Sequence, residues 1–106
     1  MKLFDLFKLN GRVALVTGGG RGIGKFIATG LAEAGADLVL TSRKMKNLEA
    51  TAKEFSKEFG VRVLPVACDM ANPEAIDVML KAALEKFSRI DILVNNAGAT
   101  WGAPTL

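Results

Sequence analysis

The sequence predicts an α/β domain built on a doubly wound parallel sheet. Three observations carry that prediction. Apolar runs of strand length recur four times, at 12–17, 38–41, 61–66 and 90–94. Stretches with apolar residues at helical spacing separate them. A dense glycine cluster stands where the first run ends: Gly18, Gly19, Gly20, Gly22 and Gly24 fill five of seven positions. Continuous apolar strands suit a sheet covered on both faces. Strand–helix alternation with short turns implies parallel pairing and right-handed crossovers. The expected order is βαβαβαβ, with strands arranged 3-2-1-4. A ligand is expected at the carboxyl ends of strands one and four, where the order reverses.

The first strand, Arg12 to Thr17, contains the β-branched residues that favour a buried sheet. The first helix runs from about Gly22 to Ala34. Ile23, Ile27 and Leu31 fall four apart and predict its buried face, and Gly35 stops it. Leu38 to Thr41 is strand two. Lys44 to Phe59 is a helix whose buried face is Leu48, Ala52, Phe55 and Phe59, closed by Gly60. Strand three, Val61 to Val66, contains Pro65, which confines that end to an edge. Asn72-Pro73-Glu74 opens the third helix with an N-cap, a proline at the first position and an acid in the first turn. Ile76, Leu80, Ala83 and Phe87 predict its buried face. Ile90 to Val94 is strand four, followed by a turn at Asn95 to Gly98.

The chain has 106 residues, the size of a single domain. Half are apolar and 24% are charged, as in soluble globular proteins. A net charge of +3 gives no reason to expect nucleic acid or a membrane as partner. Histidine is absent, which removes His catalysis and His metal ligands, and no metal site is expected. Cys68 is the sole cysteine, so no internal disulfide forms and a reducing, cytoplasmic setting is expected. Without a histidine partner it reads as a small buried hydrophobe. No signal peptide or membrane-length apolar run is visible. Leu3, Phe4, Leu6, Phe7 and Leu9 are expected to pack at a sheet edge or in an oligomer contact.

A glycine turn between strand and helix lets backbone N–H groups approach a phosphate, and the helix N-terminus adds unpaired donors. Three anion-binding patterns compete for it. The form GxGxxG fits in no register. The phosphate-loop form, GxxxxGK then Ser or Thr, runs from Gly19 to Lys25 but fails at Phe26. The form TGxxxGxG fits at Thr17, Gly18, Gly22 and Gly24, and Asn95-Asn96-Ala97-Gly98 supplies a second signature, NNAG. With these two signatures in order, the chain resembles the short-chain dehydrogenase/reductase family from about Gly11 to Gly98. The resemblance implies a Rossmann-type fold and covers only the front of the family's domain, lacking its C-terminal half. Residues 1–106 are therefore expected to form one NADP-binding Rossmann domain, truncated relative to the family.

Cofactor contacts are expected at Gly18, Gly20, Arg21, Gly22, Ile23 and Gly24 in the glycine turn. Gly22 is expected where backbone meets the pyrophosphate or where helix packs on strand. After strand two stands Ser42-Arg43-Lys44, where an NAD-selective protein usually places a carboxylate. Asp37 is at the wrong end of that strand. Arg43 and Arg21 together suit a 2′-phosphate. Arg43, Lys44 and Lys46 also crowd a helix start, where the dipole disfavours cations unless an anion is near. NADP(H) is thus expected over NAD(H). The resemblance further implies that Asp69 meets the adenine amino group and Met70 the ring. It implies that Asn95 ties strands together, and that Asn96, Ala97 and Gly98 line the ribose.

The family's chemistry is hydride transfer at a carbonyl carbon, with a Tyr moving the proton, a nearby Lys lowering its pKa and a Ser polarising the oxygen. The sequence has no tyrosine. No residue here is given a catalytic role, and the chain is expected to be inactive alone. The expected parent activity is NADP(H)-dependent interconversion of a small carbonyl and alcohol, by a homo-oligomer. Two alternatives stand beside it: a free-standing NADP-binding module without catalysis and, more weakly, a phosphate-loop nucleotidase.

Overall fold

The structure, a computed structural model, describes residues 8–18 and 22–96. Its elements are β1 (Val13–Thr17), α1 (Gly22–Glu33), β2 (Asp37–Ser42), α2 (Met45–Phe59), β3 (Val63–Ala67), α3 (Pro73–Phe87) and β4 (Ile92–Asn95). The four strands form one parallel sheet in the order β3-β2-β1-β4. β1 pairs with β2 from Val13 against Asp37 to Thr17 against Thr41, and with β4 from Ala14 against Ile92 to Thr17 against Asn95. Pro65 lies in β3, an edge strand, where its missing N–H costs no ladder bond.

Alternation along β1 divides the core. Ala14 and Val16 face α1 and α2, with Leu38, Leu40, Leu48 and Phe55. Val13 and Leu15 face α3, with Val39, Met79, Ala83 and Phe87. Every residue of β1 is buried, as its β-branched run requires. Gly60 ends α2 in a left-handed conformation, and Asn72 caps α3 by accepting from Glu74 N at 2.9 Å and Ala75 N at 3.3 Å.

Two predicted helix faces need correction. Ile23, Ile27 and Leu31 are not the buried stripe of α1; Ile23 is 69% exposed and the neighbouring Phe26 is 80% exposed. The buried residues are Gly24, Ala28, Gly30 and Ala32. Small side chains let α1 lie close on the sheet, so the same period is displaced onto residues with little apolar bulk. In α3, Met79 is buried where Leu80 was expected, and Leu80 is 36% exposed. At 3.6 residues per turn, the step from Ile76 to Ala83 is met as well by 79 as by 80. Strand boundaries shift by one or two residues, most at β3 and β4, which start at Val63 and Ile92. Leu9 is half-buried and bonds through its N–H to Ala34 O, beside the end of α1, while Leu3, Phe4, Leu6 and Phe7 lie outside the described residues.

Candidate functional site

All four strands run in one direction, so both kinds of sheet end collect chemistry from distant parts of the sequence. At the carboxyl end, β1 stops at Thr17, fully buried. Its hydroxyl donates to Asn95 Oδ1 at 3.1 Å and accepts from Asn96 N at 2.7 Å. This ties the end of β4 to the start of the glycine turn. Gly18 N donates to Thr41 O at 2.6 Å, and Gly18 turns with φ +68°.

Gly24 has the tightest surroundings in the turn. A Cβ there would fall on the Gly18 carbonyl oxygen and within 2.9 Å of Asn96 Nδ2. The helix start, the strand end and the second Asn therefore meet at one point that only a glycine fits. Gly22 has φ +65°, and a Cβ there would meet nothing within 4 Å. Of its two expected roles, close helix packing belongs to Gly24; Gly22 contributes a left-handed backbone and open space. Gly20, Arg21, Ala97 and Gly98 lie outside the described residues.

Beside this turn is a hollow of about 680 Å³ at the carboxyl ends of the strands. Gly18, Ser42, Arg43, Asp69 and Met70, all singled out from the sequence, line it together. Ile23, Gly22, Gly24 and Asn96 belong to the adjoining turn rather than to this wall. A second hollow, about 630 Å³, lies between α2 and β3 and is lined by Glu49, Lys53, Ser56, Lys57, Val63 and Pro65. It lacks the glycine turn and any convergence of strand ends, so size does not decide between the two; the chemistry does.

The corner at Arg43 is electropositive and unpaired. Arg43 is exposed and forms no ion pair among the described residues. Lys44, at the N-cap of α2, is extended (φ −120°, ψ 132°) and gives no side-chain cap, and the first turn has no acid. The amide donors at this helix start therefore have neither a side-chain acceptor nor a compensating charge. Ser42 Oγ donates to Lys44 O at 2.9 Å, which shapes the turn. Across the hollow, Asp69 Oδ1 accepts from Ala71 N at 2.9 Å. Its other oxygen has no hydrogen-bond partner among the described residues.

Cys68, buried as expected, is part of the same wall, with its Sγ 3.8 Å from Met70 Sδ. Burial pushes its thiol pKa up; the neighbouring Thr41 hydroxyl opposes this and Asp69 adds to it. Thr41 Oγ1 is buried and has no hydrogen-bond partner among the described residues. Ala71 and Ile76 also line the hollow and were not expected at the site from the sequence. Ile76 was hidden because its helical spacing assigns it wholly to the core. Asn95 lines the hollow too, while holding β1 through Thr17 as expected.

The amino end of the sheet is arranged differently. Asp91 Oδ2 accepts from Val13 N at 2.8 Å, and Arg89 grips both carboxylate oxygens at 2.7 to 3.1 Å. These contacts, Arg89 first and then Val13 N, hold the Asp91 carboxyl below the usual carboxylate range. Asp37 accepts from the Arg62 backbone at 2.9 Å and from its guanidinium at 2.8 and 3.1 Å. Asp37 is thus occupied far from the candidate site. Lys25 pairs with Glu54 at 3.1 Å across α1 and α2. Among the described residues, no group of three His, Cys, Asp or Glu side chains converges and no helix is long and apolar enough to cross a membrane.

A family profile described as short chain dehydrogenase matches residues 12–106. The chain is 42% identical over 102 residues to a 2-dehydro-3-deoxy-D-gluconate 5-dehydrogenase from Pseudoalteromonas atlantica, covering 96% of this chain and 40% of the relative. The L-sorbose reductase of Gluconobacter frateurii, solved with NADPH and L-sorbose, superposes with a TM-score of 0.84 at 42% identity, covering 92% of this chain and 37% of that one. A metagenomic short-chain oxidoreductase solved with NADP gives 0.81 at 42% identity, covering 88% and 42%. The chain thus spans 37 to 42% of the length of these relatives.

Proposed function

The chain belongs to the short-chain dehydrogenase family, and on that premise we propose that residues 1–106 bind NADP(H) for hydride transfer between the cofactor and a small carbonyl or alcohol compound. The observation that carries the reading is the meeting of Gly18, Gly24 and Asn96 beside a hollow whose rim is Arg43. A dinucleotide needs an unobstructed backbone for its pyrophosphate and a shaped cavity for its adenosine, and these residues offer both. The relatives solved with NADPH or NADP support the choice of cofactor.

When bound, the nicotinamide supplies or accepts the hydride. The chain's own residues bind and orient. The left-handed Gly22 leaves room for phosphate oxygens over the amino end of α1. Arg43 and the uncapped start of α2 receive the 2′-phosphate, with charge-assisted bonds replacing the missing cap. Arg21, placed in the turn by the sequence, is assigned to the same phosphate. The free oxygen of Asp69 accepts from the adenine amino group while Met70 lies against the ring. Thr17 holds Asn95 and Asn96 at the end of β4, so the part of the ribose site assigned to Asn96 is set by β1.

The sequence contains no tyrosine, and this favours a second reading: binding of NADP(H) without turnover by these residues alone. Titration with NADPH and NADH, followed by nicotinamide fluorescence, together with a carbonyl-reduction assay, tests both. Preferential NADPH binding without turnover is expected. Equal affinity for the two cofactors would overturn the assignment to Arg43, and turnover would overturn the need for a tyrosine. We further propose a homo-oligomer. Its support is strand β4, at the edge of the sheet among the described residues, where Leu93 is 66% exposed; sedimentation as a monomer would refute it. A cytoplasmic setting is supported by the free Cys68.

A further inference from the structure

We propose that Cys68 and Met70 form a binding site for a soft monovalent cation, Cu(I), in the wall of the 680 Å³ hollow. Cys68 is a nucleophilic group with no part in the cofactor contacts assigned above. Its Sγ is 3.8 Å from Met70 Sδ, and both residues line the hollow. One ion bonded to two sulfurs at about 2.3 Å from each can hold them up to about 4.6 Å apart. The observed pair therefore accepts such an ion with a small movement of the thioether, and the half-buried Met70 has the unbranched side chain to make it.

A second observation points to the same spot. Thr41 is fully buried, and its Oγ1 has no hydrogen-bond partner among the described residues. It lies beside Cys68, two residues beyond Val39, which shares the α3-side core with that cysteine. A neutral thiol is a weak acceptor, whereas a thiolate is a charged one. The Thr41 hydroxyl thus gains a partner when the ion binds and the thiol proton leaves to solvent. The sulfurs are held in place by backbone bonds: Cys68 N donates to Ser42 O at 2.8 Å, and Ala71 N donates to Asp69 Oδ1 at 2.9 Å.

Ligand type and charge select the ion. Thiolate and thioether sulfurs are soft donors, unsuited to Mg²⁺ or Ca²⁺, which take oxygen. A monovalent ion and the thiolate make a neutral pair within a largely apolar wall. A divalent ion would leave a positive charge there, with only the exposed Asp69 beside it as a balance. Zn²⁺ further takes four ligands, and the sequence supplies neither histidine nor a second cysteine. An ion on this wall and a nucleotide base in the hollow exclude one another; that consequence rests on the NADP(H) reading, and the ion site itself does not.

The test is anaerobic titration of the full chain with Cu(I) delivered from its bathocuproine disulfonate complex, and with Ag(I) nitrate as a redox-inert substitute in chloride-free buffer. One ion per chain is expected, with a new thiolate-to-metal absorption in the near ultraviolet for Cu(I). Cys68→Ser and Cys68→Ala are each expected to lose at least a hundredfold in affinity together with the absorption. Met70→Leu keeps the volume and is expected to lose about tenfold. Met45→Leu, on the opposite face of the sheet, is expected to lose nothing. Zn²⁺ is expected to displace neither ion. Retained binding in either Cys68 variant, unchanged affinity in Met70→Leu, or displacement by Zn²⁺ would overturn the site. NADPH is expected to compete with Ag(I), and simultaneous binding of the two would overturn the shared wall. A chain that binds Ag(I) with this pattern but no NADPH would overturn the cofactor reading and uphold the ion site.

Discussion

The two ends of the sheet use charge in opposite ways. At the amino end, Asp37 and Asp91 each accept a backbone N–H from an adjoining segment and an arginine side chain besides. At the carboxyl end, Arg43 and Lys44 have no ion partner among the described residues, and the α2 start has no cap. The amino end spends its polar groups on holding strands together. The carboxyl end leaves donors and positive charge unsatisfied around a hollow, a less stable arrangement without a ligand and a more selective one with it. The difference teaches that local imperfection, judged by the rules of helix capping, coincides with the candidate binding end in this fold.

The strongest way to break this contrast is Gly24→Val. The new side chain cannot coexist with the Gly18 carbonyl, so the turn must open. We expect loss of measurable NADPH binding and destabilisation of about 1–3 kcal/mol, read by fluorescence titration and urea unfolding. Retained affinity would show that the phosphates bind elsewhere. Arg43→Ala comes next: NADPH affinity should fall tenfold to a hundredfold, about 1–3 kcal/mol, with NADH nearly unchanged. Equal losses for the two cofactors would remove the phosphate from this corner.

Lys44→Ser sharpens the comparison by supplying the absent cap. Stability should rise by about 1 kcal/mol in chemical denaturation, while the preference for NADPH declines because a cation and a free helix start are lost together. A gain in stability without any change in preference would separate capping from recognition. The smallest effect at neutral pH belongs to Asp91→Asn. The Asp91 carboxyl titrates lower folded than unfolded, so the unfolded chain binds the proton first. Its contribution is complete above the ordinary carboxylate pKa and is lost as pH falls through the depressed folded value. Thermal unfolding midpoints measured from pH 7 down to 3 should therefore fall less steeply in Asp91→Asn than in the parent, and parallel curves would exclude the clamp.

Much of this organisation was legible before the structure. The run ending at Thr17, the glycines behind it and Asn72-Pro73 are signals complete within a few residues, and β1, its turn and α3 follow them. The strand order also followed, because crossover handedness leaves few alternatives. What escaped were choices made by distant partners. Asp91 reveals its role only when β4 lies beside β1, 78 residues from the Val13 amide. Ile23 looks like core until Gly24 draws the helix close and turns the small residues inward. Ile76 satisfies a core pattern and lines the hollow at the same time, and periodicity reports only the first.

The pairing of Thr17 with Asn95 and Asn96 also bears on how the molecule is made. Gly18 bonds to Thr41 within the first strand–helix–strand unit, whereas the Thr17 hydroxyl waits for residues 78 and 79 positions further along. Closing that longer loop costs more chain entropy, and it follows the crossover through β3 and α3. The Gly18 end of β1 can thus be fixed against β2 while Asn95 and Asn96 are still unfolded. During refolding the candidate site is expected to assemble from the β1–β2 side, with β4 joining last.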